Sequence, residues 1–121
     1  MNYDVLGTGY TVKIISNDER DDFPDMTADM DGYCNYYTKE IVVVRDDSDM
    51  QGHDKYVKQV VRHELVHAYL YESGLHDYST DETLVDWMAI QIPKMAETFN
   101  NTGKKKVTYQ LANGLTEEEY I

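Results

Sequence analysis

Apolar and polar residues alternate from Tyr10 to Ser16, with several β-branched side chains, and this predicts a strand. The alternation stops at Asn17. From there to Asp31 the chain is acidic and carries Pro24, Met26 and Met30, which reads as a loop with room for one helical turn. Gly32–Tyr37 and Glu40–Val44 are both strand-like, and Thr38-Lys39 between them is short enough for a hairpin, although it lacks the favoured Asn-Gly chemistry. Arg45 to Gly52 is polar and reads as a loop. From about Asp54 to Ser73 the period changes to that of a helix. Val57, Val60, Val61, Glu64, Ala68 and Tyr71 fall on one stripe at three- and four-residue spacing. Asp54 is placed to cap its start and Gly74 to stop it.

A second helix is expected from about Thr80 to Phe99, with Leu84, Val85, Trp87, Met88, Ile92 and Met95 as its apolar face. Pro93 lies inside it and should kink or interrupt it, because proline has no N–H to donate. Asn100-Asn-Thr-Gly103 ends the pattern. Lys106 to Leu111 reads as a short strand, and Thr116-Glu-Glu-Glu119 as the start of one more helical turn. The 121 residues carry no internal repeat or interdomain linker, so a single domain over 1–121 is expected, with a peripheral tail from about 104. The fold class expected is α+β, a small antiparallel or mixed sheet packed on helices.

Charge narrows the function classes. The net charge of -12 repels phosphate backbones and disfavours nucleic acid as a partner. No apolar run approaches the length needed to cross a bilayer, and Met1-Asn2-Tyr3-Asp4 lacks the basic and apolar blocks of a signal peptide. The single cysteine, Cys34, allows no disulfide within the chain and reads as a small core residue rather than a nucleophile. A cytoplasmic protein is the simplest expectation.

The informative stretch is His63-Glu64-Leu65-Val66-His67, in the middle of the first helix. Residues four apart lie one turn apart on one face, so both imidazoles reach a single ion. Zn²⁺ takes such nitrogen ligands, and Glu64 beside them is placed to act as general base towards water that the metal has acidified. A catalytic zinc usually has three protein ligands and one open position. Glu82 is the preferred third ligand among Asp77, Asp81, Glu82, Asp86 and His76. Asp86, one turn on, is then placed to hold a ligand imidazole through its second ring nitrogen. Ser79-Thr-Asp-Glu82 also matches a capping box, in which Glu82 would serve the helix end instead. The metzincin spacing fails, because Leu70 and Ser73 stand where it needs glycine and histidine. His76 and Tyr78 remain as oxyanion or substrate contacts from the loop between the helices.

This arrangement resembles the ImmA/IrrE-type metallopeptidase domain of phages and mobile elements. The resemblance rests on the strand Glu40-Ile-Val-Val-Val44, the motif His63-Glu-Leu-Val-His67-Ala68, and a second helix with Glu82, Val85, Asp86, Met88 and Ala89 followed by Pro93. It covers about Gly32 to Pro93. Val85 and Met88 depart from the alanine and phenylalanine of the family's second helix. The resemblance implies a zincin-like fold, His63, His67 and Glu82 as zinc ligands, and hydrolysis of a protein or peptide substrate, in known cases a regulatory protein. The expected chemistry is therefore peptide hydrolysis, with an extended substrate added to the hairpin edge near Tyr37 to Val44. The alternatives are a non-catalytic zinc-containing interaction module, with the acidic segment Asn17–Asp31 as its contact element, and hydrolysis of a non-peptide amide or ester.

Overall fold

The computed structural model describes residues 1–46 and 53–120. They fall into two compact units, residues 1–89 and 90–121. Among the described residues the fold is α+β, with a four-stranded mixed sheet, a two-stranded sheet and three α-helices.

The first unit begins with β1 (Asn2–Val5) and β2 (Thr8–Ser16), an antiparallel pair. Two residues join them, and both Leu6 (φ 51°) and Gly7 (φ 90°) sit in the left-handed region that so short a hairpin demands. β1 is short and mostly exposed, which is why the pattern of apolar residues does not announce it. A 3₁₀ turn follows at Asn17–Asp22, then β3 (Gly32–Asn35) and β4 (Glu40–Arg45). The turn between β3 and β4 is Tyr36–Lys39, longer than the two residues expected, because Asn35 pairs with Glu40. The sheet order is β1-β2-β4-β3, with β2 and β4 parallel.

β4 is the centre of the core. It has a strand on each side and a covered face above and below, so Ile41, Val42, Val43 and Val44 are all buried. Ile41 and Val43 join Tyr10 and Val12 against Val57 and Ala68 of α1 (His53–Glu72). Val42 and Val44 face the other way, where Phe23 and Met26 of the acidic segment cover them. That segment therefore turns two apolar residues inward and serves as a lid on the sheet. Substrate addition at Tyr37–Val44 is ruled out by the same pairing, since β4 has no open edge. The open edge beside α1 is β3.

α1 ends as the sequence expects. Gly74 adopts φ 86°, its N–H meets the Tyr71 carbonyl, and the Leu75 N–H reaches back to Leu70. At its start, Asp54 lies inside the first turn and pairs with Arg45 at 2.6 Å instead of capping. The loop expected before it lies, from 47 to 52, outside the described residues. After a four-residue helix, α2 (His76–Ser79), α3 runs from Glu82 to Asn100. Val85 and Ala89 of α3 pack on Val66 and Leu70 of α1.

The second unit contains the rest of α3 and a hairpin of β5 (Lys106–Gln110) and β6 (Thr116–Tyr120). The helix is continuous through Pro93, so the expected interruption does not occur. The helical turn expected at Thr116–Glu119 is a strand. Asn113-Gly114, with Gly114 at φ 83°, makes the turn, and Lys106 pairs with Glu118 at 2.6 Å across the ladder. Among the described residues no helix is long and apolar enough to cross a membrane.

Candidate metal centre

The site is assembled where α1 faces the edge strand β3 and the start of α3. His63 and His67 stand one turn apart on that face, as their spacing requires. Glu82, the first residue of α3, faces them. Its carboxylate lies 2.8 Å from Nε2 of His63 and 3.2 Å from Nε2 of His67, and the two Nε2 atoms are 3.1 Å apart. The capping alternative for Glu82 is excluded by the helix end itself. Asp81 is the cap, its Oδ1 accepting from the Leu84 N–H at 3.1 Å, while the Ser79 hydroxyl donates to the His76 carbonyl at 2.7 Å. Glu82 is thus one residue into the helix and free of capping duty.

The outer nitrogens fix what the inner ones are. Nδ1 of His67 meets the backbone carbonyl of Ser79, which can only accept, so Nδ1 carries the hydrogen and donates. Nδ1 of His63 lies 2.6 Å from the Asp86 carboxylate, with the same consequence. In the neutral rings both Nε2 atoms then present bare lone pairs, and they point at each other and at a carboxylate. Three acceptors in contact repel, and either a proton on one Nε2, donated to Glu82, or a metal ion among them relieves that repulsion. A tetrahedral ion with bonds of about 2.0–2.1 Å holds its ligands about 3.3 Å apart, near the spacings found here. His63, His67 and Glu82 form a group whose donor atoms lie within 4.8 Å of one another, and its composition of two imidazoles and a carboxylate suits zinc.

Glu64 is buried beside this group. Burial pushes its carboxyl up to about 7; His63 opposes the shift and the Glu82 carboxylate adds to it. A carboxyl there is poised to exchange a proton near neutrality. Gly32 of β3 lies against it: a Cβ at that position would meet Val60 at 2.9 Å, the Val42 carbonyl at 3.1 Å and Glu64 Cγ at 3.3 Å. The glycine lets the edge strand approach the helix this closely.

His63, Glu64, His67, Glu82 and Asp86 line one cleft of about 520 Å³ together with Gly32, Cys34, Tyr36, Tyr56, Ser79 and others. Of the residues singled out from the sequence, His63, Glu64, His67, Glu82 and Asp86 come together. His76 and Tyr78 do not. His76 is exposed and stacks on Tyr71, with ring centroids 4.4 Å apart, while Tyr71 stacks on Tyr36 at 4.2 Å, and Tyr78 is more than half exposed outside the cleft. Burial pushes the Cys34 thiol up to about 12, in keeping with an inert core residue. Sequence reading missed Ser79, Tyr56 and Asp31. Ser79 acts through its main-chain oxygen, which no side-chain pattern reveals. Tyr56, seven residues before His63 and so on the same face, was there to be found. No family model, curated protein or solved structure matches this chain.

Proposed function

We propose that this chain is a zinc-dependent peptidase with a zincin-like site. The observation that carries the proposal is the inward convergence of two imidazole lone pairs and a carboxylate, held from outside by Asp86 and the Ser79 carbonyl. His63, His67 and Glu82 would hold the ion. Among the described residues the group has three donors, the number typical of a catalytic zinc, whereas structural sites are closed by four. This favours catalysis over a purely structural metal. The resemblance to ImmA/IrrE-type domains points the same way, with a protein or peptide, in that family a regulatory protein, as substrate.

Zinc, when bound, supplies Lewis acidity that polarises a carbonyl and acidifies water. The chain does the rest. Glu64 takes a proton from the attacking water and passes it to the departing amide nitrogen, a role suited to a carboxyl pushed up to about 7. Asp86 and Ser79 keep the two imidazoles from rotating. The open edge of β3 lines the cleft and offers main-chain groups to an extended peptide. Glu64→Gln keeps shape and removes the base. Hydrolysis of a peptide library by the zinc-loaded variant should fall by about 10²–10⁴-fold, with one zinc still bound per chain. Undiminished hydrolysis by this variant would end the assignment of Glu64.

A further inference from the structure

The cleft is lined by four carboxylates, Asp31, Glu64, Glu82 and Asp86, and by no lysine or arginine among the described residues. Three of the four are accounted for by the site chemistry. Glu82 faces the two imidazoles, Asp86 holds His63, and Glu64 is the buried base. Asp31 has no such task. Its carboxylate accepts a hydrogen bond from the Tyr56 hydroxyl, a neutral donor, and it makes no ion pair among the described residues.

Asp31 is also held in place. Its carbonyl accepts from Val44 N–H at 2.8 Å, and Arg20 pins the preceding segment by donating to the carbonyls of Thr27 and Met30 at 3.0 and 2.8 Å. Its partner Tyr56 is seven residues before His63, which places the pair about 10 Å from the metal group along α1. An extended peptide covers that distance in about three residues. Asp31 immediately precedes β3, so a peptide lying along that edge passes it.

We infer that Asp31, presented by Tyr56, is a specificity subsite that selects peptides with a lysine or arginine two or three residues from the bond to be cleaved. The inference rests on the peptidase reading for the word cleaved, and on the cleft alone for the preference. A carboxylate with a free charge next to an aromatic ring recognises an ammonium or guanidinium by a charge-assisted hydrogen bond and by cation–π contact.

Two measurements separate the subsite from the reaction. In the first, zinc-loaded protein digests a proteome-derived peptide library and the products are sequenced by mass spectrometry. Lysine and arginine should be enriched two or three residues from the cut, Asp31→Asn should reduce that enrichment about tenfold, and Asp31→Lys should replace it with a preference for acidic residues. Asp21→Asn, an equal charge change on the 3₁₀ turn outside the cleft, should leave the enrichment intact. In the second, zinc-loaded Glu64→Gln protein binds a labelled lysine-containing peptide and its glutamine counterpart, read by fluorescence anisotropy. The lysine peptide should bind about tenfold more tightly, and adding Asp31→Asn should close the gap. Cleavage without charge preference, equal binding of the two peptides, or an Asp21→Asn effect as large as that of Asp31→Asn would each overturn the subsite. Charge-selective binding without any cleavage would sustain it and overturn the peptidase reading instead.

Discussion

Two polar clusters lie on the same helix, and they differ in one respect. At the end of α1, Glu72 meets donors only. Lys39 Nζ lies 2.5 Å from one carboxylate oxygen, the Tyr10 hydroxyl donates to that oxygen at 2.7 Å, and the Thr8 hydroxyl donates to the other at 3.3 Å. One turn and more towards the middle, His63, His67 and Glu82 converge, and with both rings neutral they bring acceptors against acceptors. The first cluster is complete with the chain's own atoms, and it ties β2 and the β3–β4 turn to the helix. The second, with both rings neutral, turns lone pairs towards a carboxylate, the arrangement that the proposed ion would complete. A cluster of donors on one acceptor is an element of structure, whereas a convergence of lone pairs is where a further positive group fits.

The comparison breaks first at the metal. Zinc at a hundred times its dissociation constant should stabilise the wild-type fold by about 2.7 kcal/mol, measured by chemical denaturation. Glu82→Ala should lose most of this gain, while Glu72→Gln should keep it. Equal zinc stabilisation of all three proteins would erase the distinction between the clusters.

Glu72→Gln should itself cost about 2 kcal/mol without zinc, because the Lys39 ammonium loses its counter-charge in a half-buried place. The pH dependence follows from the direction of the shift. Lys39 and then Tyr10 hold the Glu72 carboxyl below its ordinary value of 4.5. A carboxyl lowered in the folded state stabilises the fold above its unfolded pKa, and that stability is lost as pH falls through the folded value. Wild-type protein should therefore lose its advantage over the variant on acidification below about pH 4.5; a gap that persists unchanged to pH 2 would refute this cause. A smaller effect is expected where sheet and site touch. Gly32→Ala should cost about 1–2 kcal/mol by overpacking against Val60, and it should disturb Glu64 and so lower turnover. Full stability and turnover in that variant would mean the close approach is unimportant.

Much of the first unit was legible because its strongest signals are local. β2, β4, α1 and its glycine stop follow from alternation, a helical stripe and one left-handed turn. The motif on α1 could be read because four-residue spacing has one meaning on a helix. The place of Glu82 is legible in part, since the text of a capping box and that of a candidate ligand coincide. Only the position of Asp81 at the helix end separates them. β1 was missed because it is short and exposed, and it is held by pairing with β2 rather than by its own apolar residues. The Thr116–Glu119 strand was misread because three glutamates favour a helix in isolation. Asn113-Gly114 carries the contrary hairpin signal. Placement of His76 and Tyr78 depends on the path of a short connection after Gly74, and ring stacking on Tyr71 takes His76 away from the cleft.

The central claim is that the two Nε2 atoms and the Glu82 carboxylate grip one divalent ion. Metal analysis of the purified protein, compared with His67→Ala, tests it most directly. One zinc per chain in the wild type and almost none in the variant is the predicted result. Wild-type protein that takes up no divalent metal, or a His67→Ala variant that holds it equally well, would contradict the account.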